Sequence, residues 1–370
     1  MFKHTLYSLA TLFVLSTVSS ASSYKQDRCP NEMQYKLEFI GEETFHTGYT
    51  FNGVEMGGLS GIDYDKSNGT YIALSDDRAE KGPARFYNLT INLEDGFLNS
   101  GDIEFSSMTE ILDKNGTSFE PGAVDPESIR IAPFPGLLYW TSEGDAKKGV
   151  APFVRIMTRN GKHLAEFKIP NKYNPTEESG IRNNLAFESL TFSHSGNQLF
   201  TATENALIQD DSKATTSNGS SVRVLKLDSK TGKPISEYIY KTDPVAAPSI
   251  PKDAFNTNGL VELLTINKNK MIAVERSFSV GVGNSIKLYL TTTQGASNVL
   301  KLDSIKKQKI CTMKKELLLD LDKLGITLDN IEGITFGPKL SDGSRTLILV
   351  SDNNFNPNGQ FTQFLAFKLK

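Results

Sequence analysis

The chain has 370 residues, with 40 Lys and Arg against 43 Asp and Glu and a formal net charge of −3. So even a balance offers no strong basic field, which excludes nucleic acid as an expected partner. The two cysteines are too few for a thiolate zinc site.

At the N-terminus, Lys3 and His4 precede an apolar run over residues 6–18 and then the small residues Ser19-Ser20-Ala21-Ser22. This is the pattern of a secretory signal peptide cleaved near Ala21. Residues 1–21 are therefore expected to be a signal peptide, and residues 22–370 a single exported body, secreted or periplasmic. The apolar run is about a dozen residues long and no other long run follows, so no membrane span is expected. In an oxidising compartment Cys29 and Cys311 would form one disulfide across 282 positions. On chain-entropy grounds a closure of that length contributes roughly 5 kcal/mol. Asn68, Asn88, Asn115 and Asn218 each open a glycosylation sequon.

Residues 35–45 read as a lone strand, and after them a unit begins that recurs to the C-terminus. Its clearest copy spans residues 184–205. There Leu190 and Phe192 alternate with Thr191 and Ser193, and Leu199, Thr201 and Thr203 alternate with Phe200, Ala202 and Glu204. Period-2 alternation on both sides of the polar turn His194-Ser195-Gly196-Asn197 predicts a β-hairpin. Its relatives span residues 59–77, 126–145, 261–277 and 331–353. Glu127, Glu188, Glu262 or Glu332 opens the first strand of four copies, with Ser60 in that place in the remaining one. Asp76 with Asp77, then Glu143, Glu204, Glu275 and Asp352 close the second strands. Copies start about 60 to 75 residues apart, the spacing of a repeat architecture.

Further strand candidates follow each hairpin: residues 85–93 and 102–105, 153–158 and 163–169, 221–228 and 235–240, 286–292 and 297–302, and finally 362–370 alone. Residues 206–220 and 243–258 read as loops. Four strands per repeat, radially arranged, predicts an all-β fold, a β-propeller of four-stranded blades. The last repeat is a strand short, and the N-terminal strand would supply it and close the ring, hiding the sheet edges. Residues 314–324, KKELLLDLDKL, can be read as helix or strand, which leaves five or six blades.

In an antiparallel hairpin the start of the first strand and the end of the second share one edge of the sheet. If the hairpins are the inner strands of blades, Asp76, Glu127, Glu143, Glu188, Glu204, Glu262, Glu275, Glu332 and Asp352 ring one mouth of the channel. His194 is sent to the other. One acid at a strand end ordinarily caps a turn or pairs with an arginine; repetition at matched positions is what points to function. So many carboxylates cannot all stay ionised together without cations. Hard divalent ions accept such oxygen ligands, and the extracellular setting favours Ca²⁺. Arg78 and Arg276, directly after rim acids, are placed to hold an anionic group.

Other chemistries find no motif: the sequence carries no nucleophile elbow, P-loop, dinucleotide fingerprint or H-E-x-x-H helix. Gly58-Leu59-Ser60-Gly61 is assigned to tight packing at the start of a blade, and Trp140 to the core.

The runs DPESI (residues 125–129), FESLTF (187–192), DNIEGITFGP (329–338) and LILVSDNNF (347–355) resemble the phytase-like domain family, also called esterase-like activity of phytase. The resemblance runs from about residue 55 to the C-terminus. It implies a secreted or periplasmic propeller acting on phosphate esters, with Glu127, Glu188, Glu332 and Asp352 as the matching acids and Glu204 and Glu275 as fainter ones. Ser60 and the shorter fourth hairpin depart from the pattern. The function expected is calcium-dependent hydrolysis of a small anionic phosphate ester by a monomer, with Glu188, Glu332, Arg78 and Arg276 at the reacting group. The alternatives are a calcium-dependent lactonase or carboxylester hydrolase, and a calcium-stabilised binding propeller without turnover.

Overall fold

The computed structural model describes residue 1 and residues 35–370. The expected signal peptide and Cys29 lie outside the described residues apart from Met1; Cys311 is exposed. Among the described residues no helix is long and apolar enough to cross a membrane.

Residues 35–370 form one compact unit of five four-stranded antiparallel sheets. Blade 1 comprises Leu59–Asp65, Thr70–Ser75, Arg85–Ile91 and Ile103–Glu110. Blade 2 comprises Pro126–Ile131, Leu137–Ser142, Phe153–Thr158 and His163–Glu166. Blade 3 comprises Phe187–Phe192, Gln198–Thr203, Ser221–Asp228 and Pro234–Lys241. Blade 4 comprises Asn256–Thr265, Met271–Ser279, Gly283–Thr292 and Lys314–Asp320. Blade 5 comprises Asn330–Lys339, Arg345–Asp352 and Phe361–Leu369, with Leu37–His46 from the N-terminal side as its outermost strand. The ring is therefore closed by the N-terminal strand, as the missing strand of the last repeat requires. Within that strand Gly41 adopts φ +129°, and a Cβ there would lie 2.1 Å from the carbonyl oxygen of Leu98, so only glycine admits the crossing.

Two strand assignments change. Residues 297–302 form no strand: their segment crosses the outer edge of blade 3, where Val299 donates its amide to Glu237 and buries with Ile239 and Ile305. Alternation here reflects burial against a sheet edge rather than membership of a sheet. Residues 314–324 supply the outer strand of blade 4 and then the short 3-10 turn Leu321–Leu324, so the count is five blades and not six.

The first strand of each blade lines the centre and packs beside the first strands of its neighbours. Side chains alternate across each sheet, so each blade serves two cores. In blade 1, Ile72 and Leu74 join Ile129, Leu138 and Trp140 of blade 2, while Tyr71 and Ala73 join Ile348, Val350 and Phe364 of blade 5. Equivalent apolar layers separate blades 2 and 3, 3 and 4, and 4 and 5. Trp140 is buried edge-on to Phe153 and Phe119, the core position expected.

Candidate active site

Every inner hairpin breaks register at one shared place, and that of blade 5 a second time between Phe336 and Lys339. The last pair before each irregularity is Leu59 with Ser75, Pro126 with Ser142, Phe187 with Thr203, Leu260 with Glu275, and Ile331 with Ser351. The extra residue of a β-bulge is left unpaired and its side chain re-aimed. In chain order the bulge residues are Ser60, Glu127, Glu188, Val261 and Glu332, and the residues just beyond the paired partners are Asp76, Glu143, Glu204, Arg276 and Asp352. Five blades thus present ten equivalent rim positions, seven of them acidic.

Blade 4 is the exception, and it moves two expected rim residues elsewhere. Its hairpin is one residue out of step when aligned by its acids: Val261 holds the glutamate position, and Arg276 the position of the closing acid. Glu262, one residue past the bulge, points into the channel. There Oε1 accepts the amides of Leu190 and Leu263 at 2.8 Å each, and Oε2 accepts Ser128 Oγ at 2.6 Å and Arg130 Nη2 at 2.7 Å. Arg130 also donates to the carbonyls of Ile62 and Ile334, so this pair touches the inner strands of all five blades. Glu275 takes the place that is serine or threonine in the other blades. It accepts Tyr240 Oη at 2.7 Å and the amide of Asp243 at 2.8 Å, and pairs with Lys315.

The remaining acids converge. Carboxylate oxygens of Glu127, Glu188 and Glu332, from blades 2, 3 and 5, all lie within 4.8 Å of one another, and so do those of Asp125, Glu127 and Glu143. Glu127, Glu188, Glu332, Asp76, Asp125 and Asp352 line a cavity of about 1030 Å³ at this mouth. Glu143 and Glu204 sit just beneath, buried. Asp125 was not among the expected rim acids; it lies two residues before Glu127 in the DPESI run, a spacing that returns both carboxylates to one side of an extended chain.

Two arginines meet the acids. Arg78 is forked onto Asp125, with Nε to Oδ1 at 2.8 Å, and also reaches Asn184. Arg276 donates Nη2 to Glu332 at 3.0 Å and has Nη1 3.6 Å from Glu204. Asn330 donates to both Glu332, at 2.9 Å, and Asp352, at 3.1 Å. Asp77, beside Asp76, is instead bound to buried Arg85 and caps the amides of Glu80 and Lys81.

Electrostatics follow from this crowding. Burial, then neighbouring carboxylates, pushes Asp76, Glu127 and Glu188 well above the usual carboxylate range. Glu143 rises likewise, with burial first and Asp125 next. Asp352 is pushed up to about 8 by burial and by Glu332. Burial raises Glu204 to about 7 against the pull of Arg276, and Asp125 to about 7 against the pull of Arg78. Burial disfavours the charge on Arg276, but Glu204, Glu332 and Glu188 outweigh it and hold the guanidinium protonated. Among the described residues, Glu143 Oε2 and Glu204 Oε1 are buried without a hydrogen-bond partner. Such a set of oxygens, hard, anionic and in part unsatisfied, can hold divalent cations.

At the opposite mouth the hairpin turns, among them His194, surround a second cavity of about 730 Å³. His194 is thus separated from the acids, as the hairpin geometry requires.

Fold and rim together define a five-bladed β-propeller with a buried acidic ring at one mouth. The chain belongs to the phytase-like family, described as esterase-like activity of phytase, which matches residues 54–355. A search of curated protein sequences gives no match. Among solved structures, the native arabinanase Arb43A of Bacillus subtilis aligns at 16% identity over 90% of this chain and 97% of that one, with a TM-score of 0.42. The Dos1 propeller aligns at 9% identity over 82% of this chain and 66% of that one, just under two thirds, with a TM-score of 0.33.

Proposed function

We propose that the protein is an exported, calcium-dependent hydrolase of small phosphate esters, working at the acidic mouth of the propeller. The observation that carries this reading is the convergence of Glu127, Glu188 and Glu332, from three different blades, on one point beneath an open cavity. Membership of a family described by esterase-like activity supports ester hydrolysis. The signal-peptide pattern at residues 1–21 supports export.

The donor set fits calcium: every candidate ligand is a carboxylate oxygen, and Glu143 Oε2 is buried with nothing to bond. Asp125, Glu127 and Glu143 would hold one ion, and Glu127, Glu188 and Glu332 a second or a shared one. When bound, the metal supplies Lewis acidity and an acidified water. The chain's own residues do the rest. Arg276, fixed between Glu204 and Glu332, sets a permanent positive charge beside the cavity for equatorial phosphoryl oxygens. Arg78, anchored on Asp125 and Asn184, borders the same space. Glu204 and Asp352, like Asp125, have proton affinities near neutral pH and so are able to take up and return a proton at a carboxylate oxygen.

The test is turnover of a chromogenic phosphate ester with and without chelator, run beside aryl acetates and lactones. Chelation is expected to abolish phosphate-ester cleavage and calcium to restore it. Cleavage that persists without metal, or in the folded double variant Glu188→Gln with Glu332→Gln, overturns the reading. A preference for acetates or lactones moves the assignment to carboxylic esters.

A further inference from the structure

The blade that lacks rim acids is also the blade that rises above the rim. Its inner hairpin continues past the bulge through four more pairs, Gly259 with Arg276, Asn258 with Ser277, Thr257 with Phe278 and Asn256 with Ser279. Beyond the pair next to the bulge, the hairpins of blades 1, 2 and 3 carry no further pair on that side and that of blade 5 one, Asn330 with Asp352. The extension is a built wall. Ser277 Oγ and Ser279 Oγ donate to the carbonyls of Thr257 and Ala247, the amide of Val280 donates to Phe255, and Ile250 donates to Val280.

Along that wall Arg276 and Phe278 are two residues apart and so share a face. Both line the acidic cavity, together with Phe255, whose ring centroid is 6.2 Å from that of Phe278. Phe255 is 61% exposed, an uncommon state for phenylalanine on a wall held this firmly. Phe355 lines the same cavity, in the left-handed region at φ 49° and held there by its amide donating to Asn353 Oδ1 at 3.1 Å. Nine acidic side chains line the same cavity against three basic ones. Of those three, Arg78 and Arg276 are already engaged by carboxylates. A ligand phosphorylated all round offers the rings of Phe255 and Phe278 little apolar surface to cover, whereas an aryl or alkyl body offers a whole face.

We propose that the substrate carries a single anionic ester group joined to an apolar, ring-bearing body: the anionic end lies on the metal-bearing acids and Arg276, and the apolar body rests on Phe255 and Phe278. This inference rests on the hydrolase reading for the anionic end and adds the chemistry of the rest of the molecule. Phe255 and Phe278 are binding residues in this account; neither acts on the reacting atoms.

The experiment compares two non-hydrolysable probes, phenylphosphonate and methylphosphonate, binding by calorimetry to the calcium-loaded protein, with inositol hexakisphosphate as a polyanionic competitor. Covering an aromatic ring is expected to favour phenylphosphonate by about tenfold or more. Phe255→Ala and Phe278→Ala should each remove most of that preference and leave methylphosphonate binding unchanged. With 4-nitrophenyl phosphate the same variants should raise KM several-fold at nearly constant kcat. Equal affinity for the two phosphonates, a preference that survives both alanine variants, or tighter binding of the hexakisphosphate overturns the inference. If esters are cleaved without aryl preference, this inference fails and the hydrolase reading stands. If the aryl probe binds through Phe255 and Phe278 but no ester is turned over, the hydrolase reading fails and the aromatic site stands. If neither phosphonate binds, both fail.

Discussion

Two charged clusters lie on the axis of this propeller, and they are opposites. In the channel, Glu262 has four donors on its two oxygens and an arginine against it, and Arg130 reaches backbone carbonyls of neighbouring blades, with only its Nε lacking a partner. At the mouth, seven rim acids and Asp125 share two arginines, and among the described residues two of their buried oxygens accept no hydrogen bond. Burial is common to both, so burial does not separate them. Satisfaction does. A buried charge whose hydrogen bonds are complete fixes one arrangement of the strands around it, whereas buried like charges left incomplete must take up protons or bind cations.

Breaking the channel pair should produce the largest effect on stability. Removing one partner of a buried ion pair strands the other, at about 3–5 kcal/mol. Arg130→Met or Glu262→Met is therefore expected to lower the unfolding midpoint sharply in urea, whereas Arg130→Met with Glu262→Met together should recover much of the loss. If the single variants cost as little as a surface substitution, the pair does not hold the five inner strands together.

At the mouth the same operation should spare the fold. Glu188→Gln removes one of several mutually repelling carboxylates, so the metal-free protein should unfold no more easily than the parent and even somewhat less so. Activity should fall by about a hundredfold or more, the scale on which single electrostatic groups at reacting centres are felt. Thermal unfolding and kcat measured on one preparation check both halves. A variant that loses stability and activity in parallel would make Glu188 a structural residue like Glu262.

The hairpin repeat, the ring closure by residues 35–45 and the side of the rim on which the acids gather were legible in the sequence, because period-2 alternation and the two-ended geometry of a hairpin are local and survive without coordinates. The register of blade 4 was not. Aligned by its acids, Glu262 and Glu275 look like Glu188 and Glu204; aligned by the bulge, they fall one residue to either side of Val261 and Arg276. One residue of slip sends a side chain to the other face of a strand, and a bulge leaves no mark that composition can report. Asp125 and the aromatic wall were hidden for a different reason. Asp125 precedes its strand, and residues 243–258 read as a polar and Pro-rich loop, so neither carries the periodicity by which strands are found.

The incomplete cluster should also reveal itself through pH. Glu204 and Asp352 are raised to about 7 and about 8, above the ordinary range near 4 that they regain on unfolding. A carboxylate raised in the folded state binds its proton more tightly there than when unfolded, so its contribution is fully present below pH 4 and is lost as pH climbs through 7 to 8. The metal-free protein should therefore lose thermal stability between about pH 5 and pH 8. Calcium should flatten that slope, since it competes with protons for the same carboxylates and stabilises most at high pH, where an ion at a hundredfold excess over its dissociation constant adds about 2.7 kcal/mol. Differential scanning fluorimetry across pH, with chelator or calcium, measures both slopes. Identical slopes would mean that the rim acids are neutralised from within the chain.

The smallest of these effects is expected at Gly58, where fold and rim touch. Gly58 sits at φ +64°, a conformation that costs a residue bearing a Cβ roughly 1–3 kcal/mol. That Cβ would stand 2.0 Å from Asp76 Oδ1 and 2.8 Å from the ring of Phe355, so Asp76 must move aside. Gly58→Ala should then cost about 1–2 kcal/mol in the metal-free protein and weaken the stabilisation by calcium, since the displaced carboxylate belongs to the ring. Chemical denaturation in chelator and in calcium separates the two terms. If calcium stabilises Gly58→Ala as much as the parent, Asp76 lies outside the metal-binding set, and the ring narrows to the acids of blades 2, 3 and 5.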